Sequence, residues 1–122
     1  MTTQVIPREE WKEFLDSFSG RHDRWLVSLE VDNTLEREQL EAHQMALEGI
    51  TADLKDGEST ISISVGMTPH ERLTHAVHDP VQVEVERTRE GAEKELRIEG
   101  REGTTVVRLR SPVMPETIDG LM

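Results

Sequence analysis

A chain of 122 residues is long enough for one domain with its own core, and the lack of cysteine removes disulfides, thiolate zinc sites and cysteine nucleophiles. Twenty-five acidic residues against fourteen basic ones give a net charge of −11, and no basic stripe interleaved with aromatics offsets it, which argues against nucleic-acid binding. No apolar run approaches the ~20 residues of a membrane span, and the first residues lack the basic-then-apolar order of a secretory signal, so a bacterial-type cytoplasm is the expected setting.

The first predicted element is a helix. Trp11, Phe14, Leu15 and Phe18 stand at i, i+3, i+4 and i+7, one stripe of a 3.6-residue period that holds three of the four aromatic residues. Pro7 suits the first helical position, Glu9 and Glu10 suit the positive end of the helix dipole, and Gly20 is the expected stop. Glu9, Glu10, Glu13 and Asp16 outweigh Arg8 and Lys12 on the polar side, the wrong sign for a helix lying on a membrane. The stripe is therefore expected to pack on the protein's own sheet.

Strands follow. Trp25, Val27, Leu29 and Val31 alternate with polar residues, which predicts a first strand with those four inward. Leu35 to Leu47 is built from helix formers, yet Leu40 and Ala42, then Met45 and Leu47, fit a strand with one phase change at a bulge; strand is the reading adopted, because no helical stripe closes. Next comes a hairpin around Asp56-Gly57, with Ile50, Ala52 and Leu54 facing inward on one side and Ile61, Ile63 and Val65 on the other. Val81, Val83 and Val85 mark a further strand, broken from Leu96 and Ile98 by Glu90-Gly91. The turn Gly100-Arg101-Glu102-Gly103 then leads to Thr105, Val107 and Leu109. These elements predict an α+β fold over residues 1–111, with the N-terminal helix packed on a strongly curved antiparallel sheet or small open β-barrel of about seven strands. Residues 112–122, with Pro112 and Pro115, are expected to be an extended or disordered tail.

Chemistry is sparse. His70, His75 and His78, with Asp79 adjacent, could offer imidazoles and a carboxylate to zinc or another transition ion. Their spacing matches no established ligand pattern, and in a strand His75 and His78 would face opposite ways. Asp53 lies outward in the predicted hairpin, where pairing with a cross-strand Ser is a simpler role than acid–base catalysis. No nucleophile elbow, phosphate-binding glycine loop or dinucleotide fingerprint is present, so no catalytic residue and no cofactor is assigned.

Ile6-Pro7-Arg8-Glu9-Glu10-Trp11, Leu47-Glu48-Gly49-Ile50 running to Asp53-Leu54-Lys55-Asp56-Gly57, and Leu73-Thr74-His75 together resemble an uncharacterised bacterial family of small acidic proteins, a domain of unknown function. The resemblance extends from about Ile6 to Pro112 and brings no catalytic or binding residue with it. It implies only that a histidine near Leu73 recurs, which draws attention to His75 without giving it a role. Two functional readings follow. The first is a non-catalytic cytoplasmic protein acting through protein–protein contact or self-association, for which a homodimer by edge pairing or helix packing fits. The second is a small-molecule or metal-binding module centred on His75 and His78, with hydrolase chemistry as its catalytic form.

Overall fold

Eight strands and one helix form the computed structural model of the chain, which describes residues 2–33, 39–55, 58–68 and 71–111. In chain order they are β1 (Thr2–Ile6), a 3-10 turn (Arg8–Glu10), α1 (Trp11–Arg21), β2 (Leu26–Asn33), β3 (Gln39–Lys55), β4 (Glu58–Thr68), β5 (Glu71–His78), β6 (Gln82–Arg87), β7 (Glu93–Gly100) and β8 (Gly103–Ser111). All eight strands join one antiparallel sheet in the order β1-β6-β7-β8-β2-β3-β4-β5. Two meanders, β2 to β5 and β6 to β8, are joined where β8 pairs with β2.

A short connection forces this sheet to curl. β5 and β6 lie six strand spacings apart in the sheet order, which in a flat sheet would be about 29 Å at ~4.8 Å each. Yet only Asp79, Pro80 and Val81 separate His78 from Gln82, a reach of about 14 Å at most. The sheet therefore bends until β5 meets β7: the Arg101 amide donates to the His78 carbonyl at 3.2 Å, and Val81 donates to Glu99 at 2.7 Å. Gly100 permits the approach, because a Cβ there would fall 2.5 Å from Val77 Cγ1 and 3.0 Å from the His78 carbonyl oxygen.

β3 supplies much of the bend. Between the pairs Leu29↔Ala42 and Val27↔Met45 it carries one residue more than β2, and a second extra residue falls between Leu29↔Ala42 and Glu30↔Leu40. A third lies opposite β4, between Leu47↔Val65 and Gly49↔Ser64. Each extra residue kinks the strand and raises its twist. The bulge at Glu48 also explains why Leu47 and Ile50, three apart, are both fully buried. The expected phase change between Ala42 and Met45 is thus present, and the segment is strand from Gln39 onward; Leu35 to Glu38 lie outside the described residues.

The core sits between the curled sheet and α1. Val27, Leu29, Ile61, Ile63, Val65, Val83, Val85, Leu96, Ile98 and Val107 are fully buried together with Leu15 and Phe18 of the helix, while Trp11 is almost so. The helix packs along β3 and is pinned at its start. Trp11 Nε1 donates to the Ile6 carbonyl at 2.8 Å, and Arg8 lies 5.0 Å from the Trp11 ring centre while donating to Ser59 Oγ at 2.9 Å.

Several expectations need correction. The sheet has eight strands rather than about seven and, curved as expected, is not closed; β1, which has no long alternating pattern, is the strand that the sequence hid. Pro7 precedes a 3-10 turn, and the α-helix begins only at Trp11. Gly20 does not stop the helix, which continues through Arg21; Arg24 takes the left-handed conformation instead, at φ 67°. Leu54, expected inward, is 36% exposed near the end of β3, and Val81, expected within a strand, precedes β6 and is 69% exposed. The expected Asp56-Gly57 turn and the tail 112–122 lie outside the described residues; β3 and β4 pair as far as Lys55↔Glu58.

Candidate functional site

Past Phe18 the aromatic stripe of α1 carries on. His22 falls four residues further and Trp25 seven, and the rings stack in series: Phe14 to Phe18 at 5.9 Å, Phe18 to His22 at 4.5 Å, and His22 edge-on to Trp25 at 4.8 Å. His22 Nδ1 lies 2.8 Å from the Phe18 carbonyl, an acceptor only, so that nitrogen carries the proton and donates. This leaves Nε2 directed to the opposite side, 3.6 Å from Glu93 Oε1.

Glu93 opens β7 just after the Gly91 turn, where φ is 93°, and its side chain is only 9% exposed. A carboxylate so far from water needs ionic partners. Arg21, at the end of α1, supplies a fork: Nε at 3.1 Å and Nη2 at 2.9 Å from Oε1, with Nη2 also 2.7 Å from Oε2. Arg21 Nη1 donates to Ser17 one turn back. Arg87, the last residue of β6, lies 3.5 Å from Glu93 Oε2 and donates through Nη1 to Gln4 Oε1 at 2.6 Å. The cluster therefore ties α1, β1, β6 and β7 together, which is why the helix runs past Gly20.

Around these groups lies an open cleft of about 620 Å³, lined by Phe14, Arg21, His22, Trp25, Arg87, Gly91, Ala92 and Glu93. Two guanidinium groups face one carboxylate, so the arginines and Glu93 of the cleft leave one positive charge in excess in a chain of −11. The sequence reading missed the site. Arg21 and Glu93 are 72 positions apart, and one glutamate among so many acidic residues carries no signal. The continuation of the Phe14–Phe18 stripe to His22 and Trp25 was the one visible clue.

The histidines named from sequence sit elsewhere. His75 and His78 fall on opposite faces of β5, as period-two alternation requires. His75 is partly buried, on the face of Val77, with Nε2 3.1 Å from Thr105 Oγ1 across the curl; His78 is exposed. His70 lies outside the described residues. Asp79 stands at the β5–β6 corner with φ 50° and pairs with Arg101 at 2.9 Å. Among the described residues no group of three His, Asp or Glu side chains converges as a metal site would. Asp53 faces outward opposite Thr60, rather than a serine, and its carboxylate lies 3.7 Å from Lys55 Nζ.

Fold and site together define a small α+β protein, a curled antiparallel sheet packed against α1, with a polar-aromatic cleft at the helix end. The chain belongs to a family of unknown function (DUF5335), whose pattern matches residues 2–117. It is also similar to an uncharacterized protein of Aquifex aeolicus (strain VF5), 27% identical over 115 residues that cover 94% of this chain and 97% of the relative. No solved structure matches it. Among the described residues no helix is long and apolar enough to cross a membrane.

Proposed function

We propose that this protein acts in the cytoplasm without catalysis, by contact with protein, and that its contact is self-association through the outer edge of β1. One observation carries the reading: the strand at the end of the sheet is free of charge. β1 reads Thr-Thr-Gln-Val-Ile, within a chain that is 32% charged, and four of its five residues are exposed. Among the described residues no strand pairs with its other side. Proteins that keep their edges apart place Lys, Glu or Pro there, and β1 has none. In a molecule of net charge −11 two copies repel, so a neutral, β-branched edge is the place where backbone pairing meets least opposition. We read the curled sheet as an open barrel whose β1 end is left for a second copy. The opposite edge, β5, is already met at His78 by the Arg101 amide of the β7–β8 turn.

Analytical ultracentrifugation tests this. The wild type is expected to sediment as a dimer and Val5→Lys as a monomer, since Val5 is 55% exposed and a charge there should spare the monomer fold. A wild type that stays monomeric up to roughly 1 mM, where association contributes only about 4 kcal/mol, would sink the reading. So would a Val5→Lys dimer as tight as the wild type.

A further inference from the structure

We infer that the cleft at the C-terminal end of α1 binds a small aromatic monocarboxylate. Its volume of about 620 Å³ suits a single small organic molecule, which is typically held by apolar and aromatic walls with a few converging polar groups. Phe14, His22 and Trp25 bring three rings to the lining; Gly91 and Ala92 bring almost no bulk, so the side formed by the β6–β7 hairpin stays open. These walls favour a flat ring over an aliphatic chain.

The charged groups divide into two roles. Arg21 is committed to Glu93 through Nε and Nη2 and to Ser17 through Nη1, so it neutralises the buried carboxylate. Arg87 is less occupied. A guanidinium has five N–H donors, and Arg87 meets Gln4 through Nη1 and Glu93, at ion-pair distance, through Nη2. With its side chain 26% exposed beside the cleft, it retains donors for a carboxylate fork. The single unbalanced positive charge sets the ligand's charge. A monoanion neutralises it, whereas the second charge of a phosphate monoester would face Glu93. A cation would meet two guanidinium groups. None of this uses the outer side of β1, so the inference stands apart from edge pairing.

Benzoate is the probe, titrated into the full chain and followed by the two tryptophan indole N–H signals in a proton–nitrogen NMR spectrum. Trp25 lines the cleft, while the Trp11 indole is buried and bonded to the Ile6 carbonyl, so the first signal should move and the second stay. Benzamide, the same shape without charge, should bind about tenfold more weakly, as should Arg87→Gln towards benzoate. Ala92→Leu, on the exposed hairpin, should block the cleft and abolish the shift in a spectrum otherwise like the wild type. It keeps the test sharp should Arg87→Gln unfold. No benzoate shift at Trp25, equal binding of benzamide, or full binding by Ala92→Leu overturns the inference. Tighter binding of inorganic phosphate than of benzoate also overturns it.

Discussion

Gly20 shows how a side-chain anchor can override a backbone preference. By propensity it should end the helix, yet α1 continues through it because the next two residues are held: Arg21 by the Glu93 fork and His22 by the Phe18 carbonyl and ring. The chain then turns at Arg24, whose left-handed φ of 67° is costly for a residue with a Cβ, and is secured there by the Arg24 amide donating to the Leu47 carbonyl at 2.8 Å. Gly20 therefore keeps a flexibility that the native helix does not use. A Cβ at this position would meet nothing within 4 Å. Gly20→Ala should raise stability by about 0.5–1 kcal/mol, chiefly by narrowing the unfolded ensemble. A urea melt would show this as a higher midpoint with an unchanged slope. A lower midpoint would mean that the helix does not extend through Gly20 in solution.

At the scale of elements, the contact between β5 and β7 is the most exacting part of the fold. Gly100→Ala would place a Cβ 2.5 Å from Val77 Cγ1 and 3.0 Å from a carbonyl oxygen that already accepts the Arg101 amide. Val77 can shift, but the backbone carbonyl has less freedom, so a loss of about 1–3 kcal/mol is expected, as for overpacking a core. A denaturant midpoint equal to the wild type would mean that the contact between β5 and the β7–β8 turn yields to an added methyl group. Nothing local in the sequence announces this contact: Gly100 reads as an ordinary turn residue. What the sequence does reveal is the content of each strand. Ile61, Ile63, Val65, Val83, Val85, Leu96, Ile98 and Val107 alternate, and each is fully buried, because a sheet with one covered face imposes period two directly on the chain. β1 escaped notice because five residues with one buried member leave no period to read. The cleft escaped for another reason: its charged members come from α1, β6 and β7, and only the order of strands in the sheet brings them together.

Charge is a property of the whole molecule, and it sets a condition on self-association. Each copy carries −11, so bringing two together through β1 works against a repulsion that no residue on that strand creates or relieves. The favourable terms, backbone hydrogen bonds and burial of Val5, depend little on salt. The unfavourable one is screened: the Debye length falls from ~10 Å at 0.1 M to ~3 Å at 1 M ionic strength. The dimer should therefore tighten as salt rises from about 0.1 M to about 1 M, the opposite of an interface held by ion pairs. Sedimentation equilibrium at several salt concentrations measures the trend, with Val5→Lys as a control expected to remain monomeric throughout. A dissociation constant that rises with salt would show that opposite charges hold the copies together. The contact would then have to lie where such charges occur, as on the outer face of the sheet, where Arg97 meets Glu84 and Glu95, and Arg108 meets Glu30.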